Sequence, residues 1–233
     1  MSKTLVIIPT YNEKENIEAI IRAILNQNLD FHILIADDNS PDGTSNIVKK
    51  LAEEFPGVVN LLLREKKEGL GRAYIAGFKW GLERGYEYLI EMDADFSHRP
   101  VDLIKHKEAW KDHDFCIGSR YVPGGETVNW GIMRKIISRG GSLYSRLILG
   151  FPINDWTGGF NSWNQKVLRG INLDGVTSNG YSFQIELKFK ACRKGFKFKE
   201  VPIIFEDRRV GKSKMSLKIV LEAFYKVWQI KWL

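Results

Sequence analysis

The chain has 233 residues, 44% of them hydrophobic and 27% charged, with a formal net charge of +7. That composition holds apolar mass for one well-buried core and excludes disordered and low-complexity classes. Two distant cysteines, Cys116 and Cys192, argue against a disulfide framework or a zinc site, and no run of about 20 apolar residues offers a transmembrane helix.

The first half alternates strand and helix. Thr4–Ile8 is an apolar run ended by Pro9 and reads as a buried strand. Asn12 is a candidate cap for the next helix, with Glu13 and Glu15 in its first turn and Ile17, Ile20, Ile21 and Ile24 at helical spacing. Phe31–Ala36 reads as the second strand, Asp42 as the cap of a helix carrying Ile47, Val48 and Leu51, and Val58–Leu63 as the third strand. A helix over about Arg72–Glu83, a strand at Tyr88–Met92, a helix after Pro100 and a strand at Phe115–Ile117 complete this half. Helices of this length between strands imply right-handed crossovers and a mostly parallel, twisted sheet flanked by helices.

The second half is less regular. Met133–Leu149 reads as a helix with a basic start, Asp155–Trp163 as loop or short strand, Phe183–Cys192 as a helix and Phe198–Phe205 as one strand. From Lys188 onward there are 13 Lys+Arg against 4 Asp+Glu. A basic end on a near-neutral body suits an anionic partner, whether a phosphate substrate, an anionic membrane or nucleic acid; a solvated lysine-rich surface is the plainer reading.

In parallel sheets ligands bind beyond the carboxyl ends of the strands. Three acidic loops fall there: Pro9-Thr10-Tyr11-Asn12-Glu13, Asp37 to Thr44, and Met92-Asp93-Ala94-Asp95-Phe96-Ser97-His98. Two carboxylates two residues apart can converge on Mg2+ or Mn2+, with substrate phosphate oxygens completing the shell. Asp38 and Glu13 suit the hydroxyl donors of a ribose and the N–H groups of a base, with Tyr11 beside the base. A bare Asp-X-Asp is also an ordinary acidic turn, and Asp42 serves equally as a helix cap. His98, His106 and His113 form no metal set, Lys66 and Lys67 read as surface, and Gly69 and Gly71 lack the third glycine of a dinucleotide fingerprint.

These loops occur in order with Gly69-Leu70-Gly71, Ala73-Tyr74 and Gly118-Ser119-Arg120-Tyr121. They are followed by Arg134 to Gly140, Asp155 with Thr157-Gly158-Gly159-Phe160, Gly180-Tyr181 with Phe183-Gln184 and Glu186, Glu200-Val201-Pro202, Arg208, and Gly211 to Lys214. The series resembles glycosyltransferase family 2, whose α/β nucleotide-sugar-binding fold is called GT-A. Within that family it is similar to the dolichol-phosphate (polyprenol-phosphate) mannose synthases. The resemblance spans the chain to about Met215, giving a GT-A domain over 1–215 and a C-terminal segment over 216–233.

The resemblance implies transfer of mannose from GDP-mannose to a polyprenyl phosphate, with inversion and a divalent metal. Pro9, Tyr11, Glu13, Ala36 and Asp38 would line the nucleoside. Asp93, Ala94 and Asp95 would hold the sugar diphosphate, and Asp93, Asp95 and Ser97 would form the metal set, Ser97 through a water. Asp95 and Arg120 would carry catalysis. Arg120, Arg134 and Ser138 would receive the acceptor phosphate, while Arg208 and Lys214 would approach phosphates from the C-terminal side. Asn161 departs from the family pattern, in which Arg often follows this Phe.

Residues 216–233 place Leu217, Leu221, Phe224 and Trp228 at helical spacing, with Tyr225, Trp232 and several lysines. A helix lying in lipid headgroups fits this pattern, and so does a helix packed on the domain. Met1–Thr4 runs into a strand without a secretory leader's features, giving the expectation of a cytoplasmic protein, peripheral at a membrane's cytoplasmic face. Two other readings stand: a UDP-glucose-dependent transferase to the same lipid class, and a basic nucleic-acid-binding module. The latter explains the basic tail but not three acidic strand-end loops, so nucleic acid is not expected as a partner.

Overall fold

The computed structural model describes residues 3–207 and 217–232, with 217–223 described by backbone alone. Strands β1 (Thr4–Thr10), β2 (Phe31–Asp37), β3 (Val59–Leu63), β4 (Tyr88–Glu91), β5 (Phe115–Ser119), β7 (Asn161–Asn164) and β8 (Phe198–Pro202) form one seven-stranded sheet in the order β3-β2-β1-β4-β7-β5-β8. All neighbours are parallel except β7, which runs antiparallel between β4 and β5. The carboxyl ends of β1, β2, β4 and β5 therefore share one edge.

Both faces of the sheet are covered, which is why its strands are apolar on both sides. Leu5 and Ile7 point into a core with Tyr74, Phe78, Trp156, Trp163 and Phe183. Val6 and Ile8 point into the other, with Ile17, Ile20, Ile21, Val48, Leu103 and Phe160. The first core packs α3 (Leu70–Glu83) and α7 (Tyr181–Arg193); the second packs α1 (Ile17–Leu25), α2 (Thr44–Glu54) and α4 (Leu103–Ala109). Helices α5 (Ile132–Leu149), α6 (Gln165–Gly170) and α8 (Leu217–Lys231) are the remaining α-helices among the described residues. Among the described residues no helix is long and apolar enough to cross a membrane.

Three expectations change. Asn12 does not cap α1, whose cap position is Asn16; Asn12 adopts φ +61° and its N–H donates to Ser40 Oγ at 3.0 Å. The cap position of α2 is Gly43, at φ +91°, yet the Asp42 carboxylate just outside accepts the Thr44 N–H at 2.9 Å. Phe198–Phe205 is two strands, because Pro202 lacks the N–H to extend a ladder. Beyond it, β9 (Ile204–Glu206) pairs with β6 (Glu126–Val128) in a second, two-stranded sheet. Ile203 joins the two: its N–H donates to Ser119 O and its O accepts from Glu126 N.

The glycine pair before α3 serves packing. Gly69 holds φ +101°, and a Cβ on Gly71 would stand 2.8 Å from the Phe183 ring, so its absence lets α3 approach α7.

Candidate active site

The first two acidic loops are tied to each other. Buried Asp37 accepts Thr10 Oγ1–H at 2.7 Å, Ser40 Oγ–H at 2.7 Å and Ser40 N–H at 2.9 Å. Ser40 Oγ, Thr44 Oγ1 and Asp42 Oδ2 then accept the N–H groups of Asn12, Glu13 and Lys14. Asp37 and Asp42 thus build the loop that presents Tyr11, Glu13 and Asp38.

Asp38 is ion-paired to Arg64, whose other nitrogen meets Glu68 at 2.9 Å. Burial raises the Asp38 pKa against the pull of Arg64. The sequence reading missed Arg64, which lies 26 residues away on the next strand's exit. Tyr11 is 38% exposed, and the Lys67 ammonium sits 3.7 Å over its ring, so Lys67 belongs to this mouth. Pro9 and Ala36 are register partners on β1 and β2; the Ala36 side chain is fully buried, leaving its backbone as the part that can meet a ligand.

The third loop leaves β4 at Glu91. Asp93 Oδ1 accepts from Tyr74 O–H at 3.3 Å, while Asp93 N–H donates to His98 Nδ1 at 3.0 Å. That bond makes Nδ1 an acceptor, and burial lowers the His98 pKa, so His98 is a neutral prop for the loop. Asp95 Oδ1 accepts Ser97 N–H at 3.1 Å and Ser97 Oγ–H at 2.6 Å. The Ser97 hydroxyl is buried and directed at Asp95, which it orients. Among the described residues no three His, Cys, Asp or Glu side chains group as a metal cage. The donors this loop can offer a cation are the hard carboxylates of Asp93 and Asp95, because the neighbouring His98 Nδ1 is taken up by the Asp93 N–H. That fits Mg2+ or Mn2+, which take one or two carboxylates and leave the other positions to phosphate and water.

Behind this loop lies a buried charge network. Arg120 Nε and Nη2 bind the two Asp155 oxygens, each at 2.7 Å, and Nη2 also reaches Thr157 Oγ1 at 2.9 Å. Burial opposes both charges, but each partner outweighs it: the Arg120 pKa is raised and the Asp155 pKa lowered. Lys188, fully buried, donates to the carbonyls of Asp155, Trp156 and Gly158 at 3.0, 3.1 and 2.8 Å. Burial pulls its pKa down to about 8. Glu91, also fully buried, accepts from Trp163 Nε1 at 2.8 Å and from Gln184 Nε2, and burial pushes it up to about 7. Asn161 Nδ2 donates to Gln184 Oε1 at 2.8 Å and Gly158 O at 3.2 Å, an amide role where the family pattern has a charge. Gln184 and Glu186 are buried supports: Glu186 Oε2 accepts the Ser178 N–H at 3.0 Å.

The cationic side converges on Phe205. Its ring meets His98 at 5.4 Å, Trp130 at 5.2 Å and the Arg120 guanidinium at 5.5 Å, tying the acidic loop to the basic wall. Arg134 lies 3.9 Å over Trp130 and pairs with Asp207 at 2.7 Å. Arg134 Nε and Trp130 Nε1 are buried donors with no acceptor among the described residues. Ser138 Oγ accepts from Tyr121 O–H at 2.7 Å. Trp130 and Phe205 carried no motif signal. Arg208 and Lys214 lie outside the described residues.

Helix α8 joins the first core through Val227 and Ile230, while Tyr225 and Trp232 are exposed. It therefore has both a packed and an open face.

Comparison with known proteins gives the family. The polyprenol monophosphomannose synthase of Mycolicibacterium smegmatis is 47% identical over 98% of this chain and 88% of its own length. The undecaprenyl-phosphate mannosyltransferase of Micrococcus luteus is 48% identical over 97% of this chain and 92% of its own. A mannosyltransferase of Pyrobaculum calidifontis, solved with GDP-Man and Mn2+, superposes with a TM-score of 0.60 at 16% identity, covering 98% of this chain and 73% of its own, and so shares the fold. The sequence description of glycosyl transferase family 2 matches residues 5–171. With that match over most of its length and near-full-length relatives at this identity, the protein belongs to glycosyl transferase family 2.

Proposed function

We propose that the chain transfers mannose from GDP-mannose to a polyprenyl phosphate, working peripherally at the cytoplasmic face of a membrane. One observation carries the reading: the acidic loop of Asp93 and Asp95 after β4, through its His98, and a basic wall, Arg120 after β5 and Arg134 on α5 through Trp130, meet on the Phe205 ring. A donor diphosphate and an acceptor phosphate need these two surfaces side by side. The names of the two bacterial relatives support the mannosyl group and the lipid class. The Pyrobaculum protein, which shares the fold, was solved with GDP-Man and Mn2+. A glucosyl-3-phosphoglycerate synthase of Mycobacterium tuberculosis with the same fold was solved with UDP-Glc and Mn2+, so the donor assignment leans on the mannosyl names of the two relatives.

Tyr11, Glu13 and Asp38, with the backbone of Pro9 and Ala36, take the nucleoside. Asp93 and Asp95, next to Ala94, would hold a divalent cation and the sugar diphosphate, with Ser97 keeping Asp95 aimed. Such a cation would supply positive charge against that growing on the leaving nucleotide. Arg120, Arg134 and Ser138 receive the acceptor phosphate, joined from the C-terminal side by Arg208 and Lys214.

A phosphate monoester carries about −1.5 to −2 charges at neutral pH and is already a nucleophile, so no side chain must remove a proton. The chain's task is to hold two anions at attack distance. Asp155 fixes the Arg120 guanidinium for this, and Trp130 stacks Arg134. In-line attack inverts the anomeric centre, so an α-linked donor gives a β-linked product; a trapped sugar–enzyme adduct would overturn that step. The reading is tested by incubating the protein with Mn2+, polyprenyl phosphate and radiolabelled GDP-mannose or UDP-glucose. Label from GDP-mannose should enter the lipid phase. Label from UDP-glucose alone would overturn the donor assignment.

A further inference from the structure

Helix α5 is amphipathic in the wrong sense for a helix packed on a core. Its inward face is serine: Ser138, Ser142 and Ser145 are buried with Leu149. Its outward face is aliphatic, with Ile132 77%, Ile136 59%, Leu143 56% and Leu147 74% exposed at helical spacing and Met133 beside them. Burial of apolar surface drives folding, so a stripe turned to solvent marks a surface with a partner elsewhere.

The charge of α5 says which partner. It carries Arg134, Lys135, Arg139 and Arg146 and no acidic residue. Arg134 is paired with Asp207; among the described residues no ion pair involves the other three. Arg139 and Arg146, two turns apart, flank Leu143 at a cavity of about 240 Å³ completed by Tyr121 and Asn154. Arg146 Nη1 donates to Asn154 Oδ1 at 2.7 Å, which holds its guanidinium at the cavity wall.

We propose that α5 is a docking face for an anionic bilayer, in which Arg139 and Arg146 seat the phosphate of a phospholipid headgroup and the Ile132-Ile136-Leu143-Leu147 stripe enters the acyl boundary. Aliphatic residues beside unpaired cations are the signature of a helix lying in the interface plane, and anionic lipid adds attraction for each cation. A second copy of the chain is the poorer occupant, because a two-fold contact through this face would set these cations against one another. Helix α8 packs alongside through Phe224 on Tyr144, ring centroids 4.3 Å apart, and brings exposed Trp228 and Trp232. The inference rests on the membrane-borne acceptor proposed above, but its test reads vesicle binding, into which mannosyl transfer does not enter.

The full chain is sedimented with neutral phosphatidylcholine vesicles and with vesicles containing phosphatidylglycerol. Arg139→Gln/Arg146→Gln, Ile136→Ser/Leu147→Ser and Trp228→Ser/Trp232→Ser run in parallel. Binding should need the anionic lipid and weaken with salt. It should fall roughly 5-fold for each arginine removed, about 25-fold for the pair. The aliphatic variant should also bind more weakly, with circular dichroism and melting temperature of both α5 variants at wild type. Wild-type binding by both α5 variants overturns the proposal, as does equal binding to neutral vesicles. Self-association that is lost in Ile136→Ser/Leu147→Ser would assign the face to a second copy instead and overturn it as well.

Discussion

Replacing Glu91 with Gln tests whether a buried charge sits behind the acidic loop. The carboxyl is fully buried and lies two residues before Asp93, with its pKa raised from 4.5 to about 7 chiefly by burial. A folded-state pKa above the unfolded one means the native protein holds the extra proton between these values. Stability from this group is therefore full below pH 4.5 and is lost as pH rises through 7. The size of that loss is about 3 kcal/mol, from 1.36 kcal/mol per unit. Gln keeps an oxygen for Trp163 Nε1–H but turns an amide toward the Gln184 donor, so Glu91→Gln starts less stable in acid. The stability difference between wild type and Glu91→Gln should then shrink by about 3 kcal/mol between pH 4.5 and 7.5, read by urea unfolding across that range. Groups common to both proteins cancel. Parallel stability curves would refute the assignment. Lys188 gives the complementary sign: its folded pKa is lowered from 10.5 to about 8, so the unfolded chain holds the extra proton there. Stability should rise between pH 8 and 10.5 in wild type, and Lys188→Met should lack that rise.

Asp93→Asn and Asp95→Asn should each lower mannosyl transfer by about 10³-fold and abolish manganese-dependent thermal protection by GDP. Ser97→Ala should cost only about tenfold, because the Ser97 N–H still holds Asp95 Oδ1. Asp155→Asn leaves buried Arg120 under-paired and should lower unfolding free energy by about 3–5 kcal/mol in denaturant titration. Trp130→Phe keeps a ring under Arg134 but removes a buried donor; acceptor KM should rise severalfold with donor KM unchanged, and equal changes in both would argue for a structural role.

The acidic loops were legible because two local signals coincide in each: an apolar run ends, and carboxylates follow within a few residues. Periodicity placed α1 well, since Ile17, Ile20, Ile21 and Ile24 all reach the core. It failed where a loop is held by distant partners. Asn12 resembles a cap by type and place, but Ser40, 28 residues on, takes its N–H instead and the helix begins later. The Phe198–Phe205 run is apolar throughout, so only Pro202 hinted that it divides between sheets.

What the sequence hid most completely is the charge behind the site. Lys188 stands in a helix whose pattern gives no reason to bury it, and Arg120 looks like a mobile phosphate ligand until Asp155, 35 residues later, is seen to grip it. The helix α5 hides its orientation similarly, because serines and aliphatics alternate in a way that suits either face outward. Each case has one physical origin. A motif shows which atoms meet the substrate, while the free energy that keeps those atoms still comes from buried pairs that only the fold brings together. Arg120 can fix a phosphate only while Asp155 is fixed, and Asp155 is fixed by Lys188, which binds the carbonyls of Asp155, Trp156 and Gly158, and by Glu200, which accepts the Asp155 N–H at 3.0 Å. Loops carrying the same motifs on a sheet without those partners would show the same chemistry to the sequence and hold none of it in place.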